Sequence, residues 1–368
     1  MGTIGMNVNR EGHENEKAGR GKNTPRLLPL PWVIVLDLVL IGAGLIVFAL
    51  FHHVLPRDIQ TSGLALPRPT TTRVMTPAAT TTTASPTPTT MAAETTTTAT
   101  AAATPEPTET TIDPDSWTAK FADQFTDGDI IQTETEYRSA NLAVTIQQQQ
   151  RGDAVFYLAD VYLSDIEQFR TAFASGVYGR GLTDDVLDIA VENAAILAMS
   201  GDYYGIRDQG IVIRNGELYR DVLFDDVLVL YYDGSMETTE ARAFDMDRIL
   251  TEGAWQAWSF GPMLLDQGQP MTTFNSRVDP DNPRSAIGYY EPGHYCFVLV
   301  DGRQQGYSNG MTLTELSQLF YDLGCTAAYN LDGGQSAVLT FFDQTVNQPY
   351  KGGREISDIL YISDLGAN

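Results

Sequence analysis

From Asp113 onward the chain alternates short apolar runs with turn-forming residues. Asn141 to Gln150, Ala154 to Leu163, Ala194 to Met199, Gly210 to Arg214 and Val227 to Tyr232 are rich in β-branched and aromatic residues and predict strands. Tyr295 to Val300, Thr326 to Leu331, Ala337 to Phe342 and Ile359 to Ile362 predict four more. Helix signals are fewer. Ser164-x-x-Glu167 and Thr312-x-x-Glu315 carry the capping-box spacing, in which a hydroxyl and a carboxylate satisfy each other's backbone donors, so each is expected to open a helix. In the second, Leu313, Leu316, Leu319, Phe320 and Leu323 recur at helical spacing and Gly324 stands where a C-terminal cap belongs. Strand, helix and strand from Tyr295 to Leu331 predict one βαβ unit inside a strand-rich α+β domain over residues 113–368.

The first third has a different pattern. Residues 31–51 form an apolar stretch interrupted by Asp37, of the length that crosses hydrocarbon, and are expected to be a transmembrane helix rather than a cleaved signal peptide. Arg10, Lys17, Arg20, Lys22 and Arg26 precede it, so residues 1–30 are expected to be a cytoplasmic tail and the C-terminal domain to lie outside the cell membrane, a single-pass signal-anchor arrangement. Residues 52–112, mostly Thr, Ala and Pro with runs such as Thr80 to Thr83 and Thr95 to Thr98, are expected to be a stalk without a core.

Composition narrows the partners. A net charge of -24 repels polyanions, so nucleic acid is excluded as a partner and an anionic substrate has to meet a local arginine site. Cys296 and Cys325 leave two readings open, a disulfide or two buried thiols.

From Asp113 on His294 is the sole histidine, so a histidine-rich zinc site is ruled out and carboxylates and arginines must carry any chemistry. Three glycine-bearing turns at ends of predicted strands hold such residues: Ser200 to Gly205 with Asp202, Asn282 to Gly288 with Arg284, and Asn330 to Ser336 with Asp332. Asp301-Gly302-Arg303 follows another strand. Each alone reads as a turn or a solvated charge. No cofactor motif is present; Asp225, Asp226 and Asp233, or Asp279 and Asp281, offer oxygen ligands for a divalent cation such as calcium without the spacing of a known loop.

Their order along the chain adds a further reading. From Ile189 to Ile362 the sequence resembles the phosphodiester glycosidase family, through Asn193 to Gly205, Gly210 to Gly216, Ser259 to Leu264, Asn282 to Gly288, Asp301-Gly-Arg303, Gly310 to Leu313, Asn330 to Gly334 and Arg354 to Asp358. The resemblance implies hydrolysis of the bond between a sugar's anomeric carbon and a phosphodiester, in cell-surface glycans, exopolysaccharide or glycolipids. It implies that Arg284 and Arg303 grip the phosphate, with Asn330, Gly333, Gly334 and Ser336 around it, because a guanidinium offers paired donors to phosphate oxygens. Asp202 and Asp332 are then the catalytic carboxylates, with Asp301, Arg354 and Asp358 behind them as orienting groups. Two positions depart from the family pattern: Ser200 replaces an Asn, and Gln335 replaces a Gly. They favour an alternative, a non-catalytic domain of this fold that binds phosphorylated glycans; a third reading is an envelope scaffold.

Overall fold

The computed structural model describes residues 30–49, 57–69, 115–276 and 278–365. They belong to two units, divided between Leu55 and Pro56. The expected tail, apart from Leu30, and the Thr-rich residues 70–112 lie outside the described residues.

In the first unit Leu30–Ala49 is a 20-residue helix. Its described side chains run from Pro31 to Val47, without Val33, and among the described residues no helix is long and apolar enough to cross a membrane. The helix is therefore in place where the sequence predicts one, while its spanning role stands apart from the fold.

The second unit is built around three large antiparallel sheets whose inner faces share one core, with two small two-stranded sheets, Arg57–Gln60 with Tyr178–Arg180 and Leu265–Asp266 with Gln269–Pro270, beside them. The largest has the order Ala327–Leu331, Arg284–Glu291, His294–Val300, Ala154–Leu163, Leu142–Arg151, Glu136–Arg138, Ile131–Gln132. A second runs Gln344–Thr345, Leu339–Phe341, Leu197–Ser200, Asp358–Ile362, Phe169–Phe173. The third runs Met236–Thr239, Val227–Tyr231, Ala254–Trp258, Gly210–Arg214, Glu217–Val222, Leu64–Ala65. Strand alternation explains why both faces are apolar. Leu228 and Leu230 point into the shared core, whereas Val227, Val229 and Tyr231 point outward, under the helix Met246–Glu252. The other two sheets repeat the scheme: Leu313–Asp322 covers Cys296, Val298 and Ala328, and Val186–Glu192 covers Ala198, Ile359 and Tyr361. Three sheets, each capped outside by one helix, give the α+β class.

Several expectations shift in detail. The Thr312–Glu315 capping box forms as expected and opens Leu313–Asp322. The other box moves by one residue: Asp165 caps a single 3₁₀ turn, Ile166–Gln168, with Gln168 as its reciprocal partner, because the amide oxygen of Gln168 reaches the backbone N–H of both Ser164 and Asp165. The βαβ unit is split. His294–Val300 and Ala327–Leu331 do run parallel, but Arg284–Glu291 lies between them and pairs antiparallel with both. Cys296 and Cys325 are two buried free thiols with their sulfurs 3.7 Å apart. The expected stalk also begins too early: Arg57–Gln60 pairs with Tyr178–Arg180 and Leu64–Ala65 with Glu217–Leu218, so residues 57–69 belong to the domain.

Phe169 sits where the sheets meet, fully buried, with its ring centroid 6.2 Å from that of Trp258, 5.6 Å from Tyr295 and 5.5 Å from Phe297. Phe169→Ala is expected to cost about 3–5 kcal/mol, because neighbours from three sheets cannot collapse into one cavity. Exposed Tyr321→Ala is expected to stay within about 0.5 kcal/mol. Denaturant unfolding of the two variants measures the contrast.

Candidate active site

The candidate residues gather at one end of the sheets. Ser200 and Leu331 end their strands there, Arg284 and Asp358 begin theirs, and Val300, paired with Arg284, is followed by Asp301. Ser200 Oγ and Ser285 Oγ, 2.8 Å apart, tie the five-stranded sheet to the seven-stranded one, and Ser200 Oγ also donates to the Asp332 carbonyl at 3.0 Å. The Asp332 amide donates to the Gly201 carbonyl, 3.0 Å away. Ser200 is thus fully buried in a seam between sheets rather than presented in an opening.

Beneath this seam lies Arg214, the end of the strand Gly210–Arg214. Arg214 is 1 % exposed. Its Nε donates to Asp358 Oδ2 at 3.0 Å, and its Nη2 lies 2.9 Å from that oxygen and 3.1 Å from Asp202 Oδ2. Burial by itself disfavours the charge on Arg214, but Asp202 and Asp358 outweigh it and hold the guanidinium above its ordinary range. Two carboxylates around one cation leave an excess negative charge, and Asp358 shows the consequence: burial first, with Asp202 adding repulsion against Arg214's attraction, pushes it up to about 6. Asp358 Oδ1 accepts the Asp202 amide at 3.1 Å. Gly201 permits this approach, since a Cβ there would lie 2.3 Å from Asp358 Oδ1.

Asp202 is therefore 1 % exposed, with Oδ1 accepting the Tyr204 amide at 3.0 Å and Oδ2 facing Arg214. Its placement is that of an orienting carboxylate. Asp358 orients an arginine as expected, but that arginine is Arg214. Asp301 holds neither Arg284 nor Arg303; its carboxylate accepts from Asn347 Nδ2, Tyr307 Oη and the Gln348 amide, fastening a neighbouring loop. Burial raises its pKa.

Arg284 departs furthest from expectation. It is 3 % exposed, and its guanidinium donates to the carbonyls of Met311, Val278, Asp279 and Pro280 at 2.9, 2.8, 3.1 and 2.8 Å. Four of its five N–H donors are engaged in holding that loop. Burial lowers its pKa to about 10.

The groups that do face one another lie along the turn Gly333 to Ser336. Arg303 is exposed, its Nε and Nη2 held by Asn282 Oδ1 at 3.0 and 2.7 Å, and a Cβ on Gly334 would stand 3.3 Å from its Nη2. On the other side Arg354 donates to Ser336 Oγ from Nε at 3.0 Å and Nη2 at 2.6 Å, and Nη2 reaches Asp332 Oδ2 at 3.1 Å. Arg354 remains 41 % exposed at its side chain, with its guanidinium 4.7 Å from the centre of the Tyr203 ring. Burial raises the Asp332 pKa, while Ser336, Arg354 and Arg207 pull it back. Arg207, not anticipated, donates to the Asp202 carbonyl at 2.9 Å and has a buried Nε without a hydrogen-bond partner among the described residues. Ser336 is fully buried, so its hydroxyl positions Arg354 instead of meeting a ligand. Asn330 donates to the Gly261 carbonyl at 2.9 Å and keeps a buried Oδ1 without a hydrogen-bond partner among the described residues. The Gly334 amide is spent on the Pro283 carbonyl at 2.8 Å, and Gln335 Nε2 on the Gly353 carbonyl at 2.7 Å. The Asp332 carboxylate thus meets the partly accessible guanidinium of Arg354, and the exposed guanidinium of Arg303 stands beside Gly334 of the same turn.

The acidic turns act as turn formers: Asp233 Oδ1 accepts the Ser235 amide and hydroxyl, and Asp226 Oδ2 accepts the Met263 amide. Among the described residues no group of three His, Cys, Asp or Glu side chains is placed to hold a metal ion.

Residues 193–363 match the family model described as phosphodiester glycosidase. The chain is 29% identical over 203 residues to the SPbeta prophage-derived uncharacterized protein YomE of Bacillus subtilis strain 168, covering 51% of this chain but spanning only 31% of that relative's length. Among solved structures, the zebrafish N-acetylglucosamine-1-phosphodiester alpha-N-acetylglucosaminidase catalytic domain, auto-inhibited by pro-peptide, is similar with a TM-score of 0.49 and 19% identity, over 61% of this chain and 83% of that one. A hypothetical protein from Synechocystis is similar with a TM-score of 0.41 and 15% identity, over 61% and 62%.

Asp358 supplies a pH test of the buried cluster. Its folded-state pKa stands above the ordinary carboxylate value, so its stabilising contribution is complete below 3.8 and is lost as pH rises through about 6. Asp358→Asn, which keeps the shape and removes the titration, is expected to flatten the fall in Tm across that window. Thermal unfolding of both proteins at a series of pH values measures the difference.

Proposed function

With residues 193–363 belonging to the phosphodiester glycosidase family, we propose that the domain hydrolyses the bond between a sugar's anomeric carbon and a phosphodiester oxygen. The observation that carries this reading is the pairing of a buried carboxylate, Asp332, with the partly accessible guanidinium of Arg354, while the exposed Arg303 stands beside Gly334 of the same turn. As the bond between C1 and oxygen breaks, its electron pair passes to the phosphate, which leaves as a phosphomonoester. Arg303 and Arg354 are assigned to that growing charge, where preorganised donors contribute most. Sugar C1 becomes oxocarbenium-like and is attacked by water. Asp332 is assigned to stabilise the cation and to receive the proton of that water. Phosphate is a good leaving group, so the reading needs no separate acid, and Asp202 is assigned to hold the Tyr204 turn.

Cell-surface glycans or glycolipids are the proposed substrates, and residues 31–51 the proposed membrane anchor. The anchor is supported by the exposed apolar side chains of Leu30–Ala49, such as Trp32 and Leu45 at 67% and 63%, and by the basic residues that precede it. The full chain is expected to stay in the membrane fraction through alkaline carbonate washing and to enter solution with detergent. Recovery in the carbonate wash overturns the anchor.

Activity is tested by incubating the purified protein with a sugar-1-phosphodiester in ¹⁸O-water. The label is expected in the sugar, because the carbon–oxygen bond breaks; label in the phosphate overturns the assignment. Asp332→Asn is expected to lower kcat about 10²–10⁴-fold, the usual size of a lost proton acceptor. Arg303→Ala and Arg354→Ala are expected to reduce kcat/KM by at least about tenfold each, whereas Arg284→Lys is expected to lower Tm and leave KM unchanged. Retained binding without turnover supports the glycan-binding alternative.

A further inference from the structure

Residues 57–69 precede the Thr-rich segment in the chain yet are built into the domain. Arg57 pairs with Arg180 and Gln60 with Tyr178, and Leu64 and Ala65 add an edge to the six-stranded sheet beside Leu218 and Glu217. The contact is extended by the Gly63 amide donating to Glu217 Oε2 and the Leu66 amide to the Gly216 carbonyl, both at 2.8 Å. Leu66 packs on the apolar cluster of Ile211, Ile213 and Val229. Gly63 lies so close that a Cβ would stand 2.8 Å from the Leu218 carbonyl oxygen and 3.0 Å from Glu217 Cβ. At the far end Pro69 lies against Gly253, and Arg68 pairs with Glu167 at 2.5 Å.

The chain returns where it leaves. Arg68 and Pro69 on one side of residues 70–114, and Asp115, Ser116 and Trp117 on the other, line a single groove of about 450 Å³ with Tyr232. Residues 57–69, which precede the Thr-rich segment, are therefore already part of the domain. The residues on either side of that segment, Arg68 and Pro69 before and Asp115 to Trp117 after, both lie on the domain.

The two strands that the segment 57–69 pairs with both support the candidate site. The Tyr178 ring stacks on that of Tyr204 at 4.9 Å, and the Gly179 amide donates to Tyr204 Oη at 3.2 Å. From the other strand Arg220 donates to the carbonyls of Gly210 and Arg207, each at 2.7 Å. Both strands thus hold the turn from Tyr204 to Arg207.

We infer that residues 57–69 are a strand-complementing strap, bound to the domain by their own contacts, so that cutting the chain within residues 70–114 leaves strap and domain together as a non-covalent complex. Backbone ladder bonds supply affinity and the Gly63 and Leu66 sites supply register. Proteolysis of the Thr-rich segment then releases neither the catalytic domain nor the support behind the Tyr204 turn.

The test uses the full chain in detergent, with a specific protease site replacing Thr95 to Thr98. After complete cutting, the two fragments are expected to co-elute in gel filtration and to separate only in denaturant. Gly63→Val, which cannot make the close approach, is expected to shorten the lifetime of the cut complex by at least about tenfold, equivalent to roughly 1.4 kcal/mol. If Gly63→Val does not accumulate as folded protein, Leu66→Ala takes its place with the same expected direction. Fragments of the unmodified sequence that separate under native conditions overturn the inference, as do variant complexes with an unchanged lifetime.

Discussion

A guanidinium removed from water has to be compensated on every side, and Arg214 is where this domain meets that demand. Stranding either carboxylate by removing the arginine costs about 3–5 kcal/mol, the usual penalty of an unpaired buried charge. Its two partners come from different parts of the chain: Asp358 begins a strand of the five-stranded sheet, and Asp202 follows the strand next to it. Arg214 itself ends a strand of the six-stranded sheet. The cluster thus fixes how two sheets approach each other, and the Ser200–Ser285 hydroxyl contact fixes the third. Once Asp202 is held, its Oδ1 sets the Tyr204 amide and its carbonyl sets Arg207. The loop that faces the site is positioned from below.

The same requirement explains how the arginines divide their work. Arg284 and Arg354 carry the same chemical group, but one is engaged by four carbonyls and the other by a hydroxyl and a carboxylate, with 41 % of its side chain still accessible. Saturated donors hold a loop; partly engaged donors can take a ligand. With a net charge of -24, the chain repels anions at a distance, so an anion has to be met by local cations such as Arg354 and Arg303.

Much of the strand framework was legible because alternation has a period of two and each sheet buries both faces. Ala154–Leu163, Gly210–Arg214 and the helix opened by Thr312 form where the pattern puts them. The split of the βαβ unit was hidden because Arg284–Glu291 enters from earlier in the chain, a pairing that local periodicity does not encode. Arg214 was hidden for a related reason: it completes an apolar run, and nothing in Gly-Ile-Val-Ile-Arg tells which sheet's carboxylates will meet it. Arg284 and Arg303 sit in similar motifs, and only the placement of backbone carbonyls separates a clamp from an accessible cation. The strap was not legible because edge strands of four and two residues carry no periodicity of their own.

Ser200 and Gln335, the two departures from the family pattern, belong to different layers of this arrangement. Ser200 is inside the seam, bonded to Ser285 and to the carbonyl of Asp332, so a change there alters the spacing of two sheets and, through one carbonyl, the height of the site carboxylate. A longer amide side chain in its place would have to push those sheets apart or find another acceptor. Gln335 lies in the turn itself, but its amide is held by the Gly353 carbonyl, next to Arg354 in the chain. It therefore links the Asp332 turn to the segment that delivers Arg354. Neither residue itself supplies the charges of the site, Asp332, Arg354 and Arg303, so both positions bear on how firmly the site is held, while its charge pattern is kept.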